Sequence, residues 1–518
     1  MSAAVAAADA TIARTSKLFI GNEYVDADGG STLDVVSPAD GRAFARIAHA
    51  SAADVDRAVR SARACFDGGA WSSRGAAERC GVLRRTAQAL RDREEELSWI
   101  ESRDCGKPLS ESQGDIGFCA DAIDYYAEVA PSALEAMPLE LPAALGGDDF
   151  NARVEHEPLG VVGCVTPWNY PLQQAILKVA PALAAGCTVV LKPSPLASLT
   201  CCAFGEILAA AGAPPGALNV VTGGPPEALA DGSSTGQTLI DHPKLDKVSF
   251  TGSSAAGRSM LESSARRLRP TALELGGKSA FIVFDDSEEY LDAVVDWAMV
   301  GIFSNAGQVC SATSRLLVQK GIEAELTSRL KLAAAKIRVG DPMAEGTQMG
   351  PAVSKVQQEK ILDALSRARE AGCTVHAAEL AIPEALQGGF YVPPALVTEV
   401  PVDSSAWRDE IFGPVLAIRS FSTEDEAIEL ANATHFGLAN AVYSADTERC
   451  ARVARKLQSG VVWENCSQVL FPSTPFGGRV GKTSGFGWEL GVVGLMEYVS
   501  GKTVVSAAKP GFSWGAYS

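Results

Sequence analysis

The chain has 518 residues, more than one hydrophobic core usually holds, so two large domains plus connecting structure are expected. Sixty-two acidic residues against 45 basic ones give a net charge of −17, which excludes nucleic acid and anionic membrane surfaces as natural partners. With 47% hydrophobic and 21% charged residues, the composition is that of a compact globular protein rather than a disordered one.

Residues 1–16, MSAAVAAADATIARTS, are rich in Ala and Ser, carry Asp9 and lack a continuous apolar run, so they read as a disordered tail rather than a secretory signal. A short organellar transit peptide is the alternative. The final residues, WGAYS, carry no peroxisomal or endoplasmic-reticulum retention signal, and a cytoplasmic location is expected. Segments 52–66 and 74–102 place apolar residues at helical spacing. Residues 159–191 contain Lys178 as their one charge, but three prolines together with Asn169, Gln173 and Gln174 interrupt them, which predicts a buried core segment and no membrane span.

Within that segment and beyond it the chain alternates strand (160–165), helix (171–186), strand (188–191), helix (199–211) and strand (217–221), the pattern of a parallel α/β sheet. Residues 158–166, 247–251 and 279–284 read as further apolar, strand-like segments. A second alternation begins after Gly277 and runs to about Trp463, with helices predicted at 290–303, 322–337 and 354–371. No repeat of fixed period is present. The twelve cysteines include no CxxC and the five histidines no HxxxH pair, so neither a disulfide framework nor a metal site is expected.

Five stretches carry candidate chemistry. In 303–315, FSNAGQVCSATSR, Cys310 sits among small and polar residues that let a substrate approach its sulfur; the alternative for any free cysteine is a small buried apolar residue. In LELGGKS (273–279), Glu274 precedes a glycine pair, and a carboxylate in an apolar setting can act as a base; a strand end is the plainer reading. In VTPWNYPL (165–172) two prolines fix Asn169, whose amide can donate to an oxyanion, against a simple turn as alternative. FTGSSAAG (250–257) follows a strand and opens a helix whose free N–H groups can face phosphate, although it is not GxGxxG. LKPS (191–194) puts Lys192 at the end of a parallel strand, where open α/β sheets bind ligands and where a solvated lysine is equally at home.

These motifs occur together and in order, followed by DEIFGP (409–414), VWENCSQ (462–468) and SGFGWELG (484–491), and from about residue 17 to 502 the chain resembles the aldehyde dehydrogenase superfamily, most of all the plant betaine aldehyde and aminoaldehyde dehydrogenases. The resemblance implies two Rossmann-like α/β domains plus a bridging β oligomerisation element. A cofactor-binding domain is expected at 17–147 and 163–276, a catalytic domain at 277–480, and the bridging element at 148–162 and 492–510, which makes a homodimer or homotetramer.

The same resemblance implies NAD-dependent oxidation of an aldehyde to its acid, with NADP as an alternative cofactor. Cys310 would attack the aldehyde, Asn169 would hold the oxyanion of the thiohemiacetal, and Glu274 would activate water to resolve the thioester. Thr166, Pro167, Trp168, Lys192, Ser194, Gly252, Ser253, Gly257, Leu275, Glu410 and Phe412 would bind the cofactor. Tyr170, Asp115, Leu177, Ser304, Val461 and Phe476 would line the substrate channel.

Several positions depart from the family pattern. Pro195 replaces the usual ribose-binding Glu, which favours acceptance of NADP. Leu177, Ser304 and Phe476 stand where the plant enzymes have tryptophan, and Phe118 replaces a carboxylate, so the aromatic cage for a cationic amine is depleted. Val461 is bulky where a small residue admits trimethylammonium. Two residues are inserted near Arg479–Gly481. The expected substrate is an aminoaldehyde or betaine aldehyde, with uncharged aliphatic or semialdehyde substrates as an alternative. An acylating relative using coenzyme A and an inactive structural or binding homologue are weighed against it, and Glu274, Cys310 and Asn169 argue for the hydrolytic enzyme.

Overall fold

A computed structural model describes residues 3–224 and 234–513. Two large sheets organise it. The first has eight strands in the order Gly485–Phe486, Thr271–Glu274, Lys247–Thr251, Val161–Val165, Thr188–Lys192, Leu218–Val220, Leu18–Ile20 and Glu23–Val25. Its five central strands run parallel. Val161–Val165 and Thr188–Lys192 are apolar and buried almost throughout, as a parallel strand covered on both faces must be. Between them the helix Pro171–Ala185 starts on a proline and ends at Gly186, whose φ of 99° supplies the left-handed turn back into the sheet. All but one of its side chains are buried, because Ala76–Asp92, Leu109–Ala133 and the sheet enclose it.

The second sheet has seven strands, Thr374–Ala377, Ala395–Thr398, Val415–Phe421, Arg315–Gln319, Ala280–Val283, Ala439–Tyr443 and Val461–Glu464, all parallel except the first. Separate apolar clusters fill its two faces, one including Trp407 and Phe421, the other Phe281 and Leu316. A third sheet pairs Phe150–Pro158 with Val499–Ala507 along their whole lengths and with Met137–Leu139 at one edge. Val499–Ala507 is largely exposed.

The structure differs from the sequence reading at several points. Residues 74–102 form two helices, Ala76–Asp92 and Glu94–Cys105, which break where Arg93 leaves helical geometry. Leu109–Ala133, the longest helix among the described residues, was unread because small and polar residues blur its period. The segment 158–166 is divided at Gly160, where the backbone turns at φ 130° against Asp246.

The expected disordered tail is instead the helix Ala3–Thr15. Ala8 and Ile12 are buried in a cluster with Val35, Ile47, Ile100 and Leu199. Thr11 donates to Glu96 at 2.6 Å, and Arg14 and Asp9 pair with Glu206 and Arg103. An alanine-rich segment with two apolar anchors carries too weak a period to announce such docking. Among the described residues no helix is long and apolar enough to cross a membrane.

Burial of the Ile12 side chain is worth roughly 2 kcal/mol. Ile12→Asp should therefore lower the apparent melting temperature by about 4–8 °C in a thermal scan, whereas a free tail would leave it unchanged.

Candidate active site

Cys310 lies between the two large sheets, in the loop joining the helix Leu291–Phe303 to the strand Arg315–Gln319. After the helix, Asn305 and Ala306 take φ of 47° and 53°, an uncommon left-handed pair that folds the chain sharply. Gly307, at φ 72°, is pressed against the Gly413 carbonyl, and Gly277 against the carbonyl of Cys310, so neither position has room for a side chain. Reciprocal hydrogen bonds fasten the loop to the first sheet. The Asn169 amide donates to the Gln308 carbonyl at 2.9 Å, and the Asn305 amide donates to the Asn169 carbonyl at 2.8 Å.

Asn169 belongs to the turn between Val161–Val165 and Pro171–Ala185, and it is buried. Its bond to Gln308 uses one amide hydrogen and leaves the second. Glu274 ends the strand Thr271–Glu274 and is buried, with neither carboxylate oxygen hydrogen-bonded. Burial, reinforced by the nearby Glu489, pushes its carboxyl well above the usual range. Burial also lifts the Cys310 thiol to about 12, with Glu274 adding to the rise. In the resting protein the Cys310 thiol is therefore protonated near neutral pH, and burial favours the neutral form of Glu274.

Ten of the twelve cysteines are fully buried, and Cys310 and Cys466 are the half-buried exceptions. Near Glu274, and unread from sequence, Lys178 pairs with Glu489 and donates to the Thr251 hydroxyl at 2.7 Å. All three are buried.

Two cavities meet at Cys310. The first, of about 470 Å³, is lined by Pro167, Trp168, Gly252, Ser253, Leu275, Glu410 and Phe412 among others. Ser253 caps the helix Ser254–Ala265, its hydroxyl accepting from the Ala256 N–H. Gly257 lets that helix approach Leu275, which would sit 2.6 Å from an added Cβ. Glu410 accepts the Gly277 N–H at 2.9 Å, and burial raises its carboxyl to about 7. Phe412, at φ 57°, packs edge-on against Trp168 and is held by Gln357 Nε2 donating to its carbonyl.

Thr166, Lys192, Ser194 and Gly257 do not line this cleft itself. Lys192 is buried at the end of its strand, and desolvation lowers its amine to about 8. Thr166 leaves a buried hydroxyl unpartnered. Among the described residues no cluster of His, Cys, Asp and Glu could hold a metal.

The second cavity, of about 360 Å³, is lined by Tyr170, Asp115, Leu177, Ser304 and Phe476, as expected, and by Phe118. One placement differs from the expectation. Val461 does not line it; Trp463, two residues along the same strand and nearer the cavity, does, with its indole donating to the Val469 carbonyl at 2.8 Å. Asp115 lines the cavity as a paired acid. It pairs with the buried Lys107, whose amine also lies 3.9 Å from the centre of the Tyr170 ring.

The other acid here is Glu111, which accepts the Asn305 N–H and is raised to about 7 by burial. Gln174, which lines both cavities, and Gln173 and Gln468, which line the second, were also missed. Polar residues in an apolar segment were the one signal that could have flagged the first two.

A family model described as the aldehyde dehydrogenase family matches residues 24–504. Betaine aldehyde dehydrogenase 1 of Oryza sativa subsp. japonica is 46% identical over 492 residues, 94% of each chain. Aminoaldehyde dehydrogenase 2 of Zea mays is 46% identical over 503 residues, 96% of this chain and 97% of that protein. The crystal structure of betaine aldehyde dehydrogenase from Staphylococcus aureus in complex with NAD+ superposes with a TM-score of 0.92 at 34% identity, covering 99% of each chain. The chain belongs to the aldehyde dehydrogenase family.

Proposed function

We propose that this protein oxidises an aldehyde to its carboxylic acid with NAD or NADP, using Cys310 as the nucleophile. The observation that carries the reading is the placement of one half-buried cysteine where a dinucleotide-sized cleft meets a separate channel, with Asn169 and Glu274 at hand. The cleft residues fit the dinucleotide: the backbone at Gly252 and Ser253 would hold the pyrophosphate, Glu410 the nicotinamide ribose, and Phe412 and Trp168 the ring; Lys192 and Ser194, outside the cleft lining, are assigned to the adenine-side ribose on the family resemblance alone. When bound, NAD(P) would supply the hydride acceptor and a positive charge to the cleft that Cys310 lines. That charge favours the Cys310 thiolate, which burial otherwise suppresses.

The thiolate attacks the aldehyde carbon, and the second Asn169 amide hydrogen, with the Cys310 N–H, holds the oxyanion. Loss of hydride leaves a thioester. Glu274, once deprotonated, takes a proton from water as the water attacks, and the acid leaves with Cys310 restored. The Lys178–Glu489 pair lies near enough to Glu274 to act on its charge within the buried interior.

Pro195 takes the place of a ribose-binding carboxylate, and no acid is left there to repel a 2′-phosphate. For substrate, the plant relatives favour an aminoaldehyde or betaine aldehyde. Tyr170, Trp463, Phe118 and Phe476 supply aromatic faces, and Glu111 an acid. Uncharged aldehydes form a second reading, which the apolar Leu177 and Phe118 and the Lys107 cation over Tyr170 favour. We assign residues 17–147 and 163–276 to cofactor binding, 277–480 to catalysis, and the exposed strand Val499–Ala507 to pairing with a second copy in a homodimer or homotetramer.

Purified protein assayed with NAD and NADP against betaine aldehyde, 3-aminopropanal, 4-aminobutanal and simple aliphatic aldehydes should reduce both cofactors, NADP within roughly tenfold of NAD in kcat/KM, and Cys310→Ala should be inactive. A hundredfold or greater preference for NAD removes the role of Pro195, and activity in Cys310→Ala removes the mechanism. The sign of the Cys310 shift gives a second outcome. Because the thiolate fraction rises about tenfold per pH unit below the pKa, alkylation of Cys310 by iodoacetamide without cofactor, followed by peptide mass spectrometry, should accelerate from about pH 7 to 10 with no plateau. A plateau near pH 8 contradicts the raised value.

A further inference from the structure

Gln174 stands in the first turn of the helix Pro171–Ala185, one turn after Tyr170, whose carbonyl accepts its backbone N–H at 2.9 Å. Its side chain lines both the cofactor cleft and the substrate channel, a property it shares with Cys310. The residue is 9% exposed, and its carboxamide oxygen is buried with no hydrogen-bond partner. A buried amide oxygen without a partner is costly, and protein interiors rarely leave one unpaired. Gln174 borders both cavities, as Cys310 does, so its side chain is next to the place where an aldehyde on Cys310 would react. The adjoining channel wall at Phe118, Leu177 and Phe476 offers no hydrogen bond. Within the protein this oxygen has no partner, and a donor on a bound substrate would supply one if the carboxamide turns toward the junction.

We propose that Gln174 is a specificity-determining residue that selects aldehydes carrying an O–H or N–H donor on carbon 2 or 3. The proposal rests on the aldehyde-oxidising reading above and deepens it. Only a group within a few bonds of the carbonyl is close enough to a carboxamide that shares both cavities with Cys310. A hydroxyl both donates and accepts, so it can pair with either end of the carboxamide. A primary ammonium donates to the oxygen. The trimethylammonium group of betaine aldehyde has no N–H and leaves Gln174 unpaired. The same residue thus divides the substrates that the resemblance groups together. Sites built to hydrogen-bond a substrate group reject the analogue lacking it, because their own polar atoms are then left unsatisfied.

The test compares kcat/KM for two pairs of uncharged aldehydes, 2-hydroxypropanal with propanal and 3-hydroxypropanal with butanal, in the wild-type protein and in Gln174→Met. Methionine keeps the length and volume while removing the amide. The wild type should favour the hydroxylated member of at least one pair by about tenfold or more, the scale of one recovered hydrogen bond. Gln174→Met should bring that ratio close to one while leaving the KM for NAD and the melting temperature near their wild-type values.

A ratio near one in the wild type, or a preference that survives in Gln174→Met, overturns the proposal while turnover of propanal keeps the aldehyde-oxidising reading intact. A large rise in the KM for NAD with an unchanged ratio also overturns it, by moving Gln174 to the cofactor. If no aldehyde turns over in the wild type, the wider reading fails and this inference falls with it.

Discussion

The arrangement depends on one reciprocal contact: Asn169 holds the carbonyl of Gln308, and Asn305 holds the carbonyl of Asn169. Each amide is buried and each bond crosses from one sheet's loops to the other's, so the turn after Val161–Val165 and the loop bearing Cys310 cannot shift independently. Removing either partner would strand a buried polar group, at a cost of about 1–3 kcal/mol, in the place where the reacting atoms must be held. The left-handed backbone at Asn305 and Ala306 and the close approach of Gly307 to Gly413 belong to the same constraint. They bring the sulfur to the point where the cleft and the channel join.

Desolvation is the second organising effect. Cys310, Glu274, Glu410 and Glu111 are all pushed toward their neutral forms by burial, and Glu274 and Glu410 push the thiol further the same way. A site of this kind is quiet until a positive charge arrives. On the proposed reading, bound NAD(P) would bring a positive charge of the right sign to favour the Cys310 thiolate, so cofactor binding would prepare the nucleophile. Lys178, paired to Glu489 near Glu274, is a buried cation already present, and it opposes the rise in the Glu274 carboxyl.

Much of the scaffold was legible because its signals are local. The strand–helix–strand run from Val161 to Lys192 is apolar on every face and punctuated by Pro171 and Gly186, so it could be read almost to the residue. The motif bearing Cys310 was legible by its small neighbours. What escaped depended on contacts distant in sequence or on geometry within an element. The helix Ala3–Thr15 is held by Trp99, Leu199 and Ile47, none of them near it in the chain. Asp115 was legible as a channel residue, but its pairing with Lys107 on the preceding loop was not. Val461 and Trp463 share one strand, and only the position of its end decides which reaches the channel. Gln173 and Gln174 were visible as polar interruptions of an apolar helix, but their meaning required the cavities.

The central claim is that Cys310 forms a thioester that Glu274 resolves, and its most direct measurement is single-turnover mixing of Glu274→Gln with NAD and an oxidisable aldehyde, followed by intact-mass and peptide mass spectrometry. The account predicts a burst approaching one NADH per active site, then arrest, with the acyl mass on the peptide containing Cys310. A linear progress curve at the wild-type rate, or a burst with no acyl mass on Cys310, would contradict it.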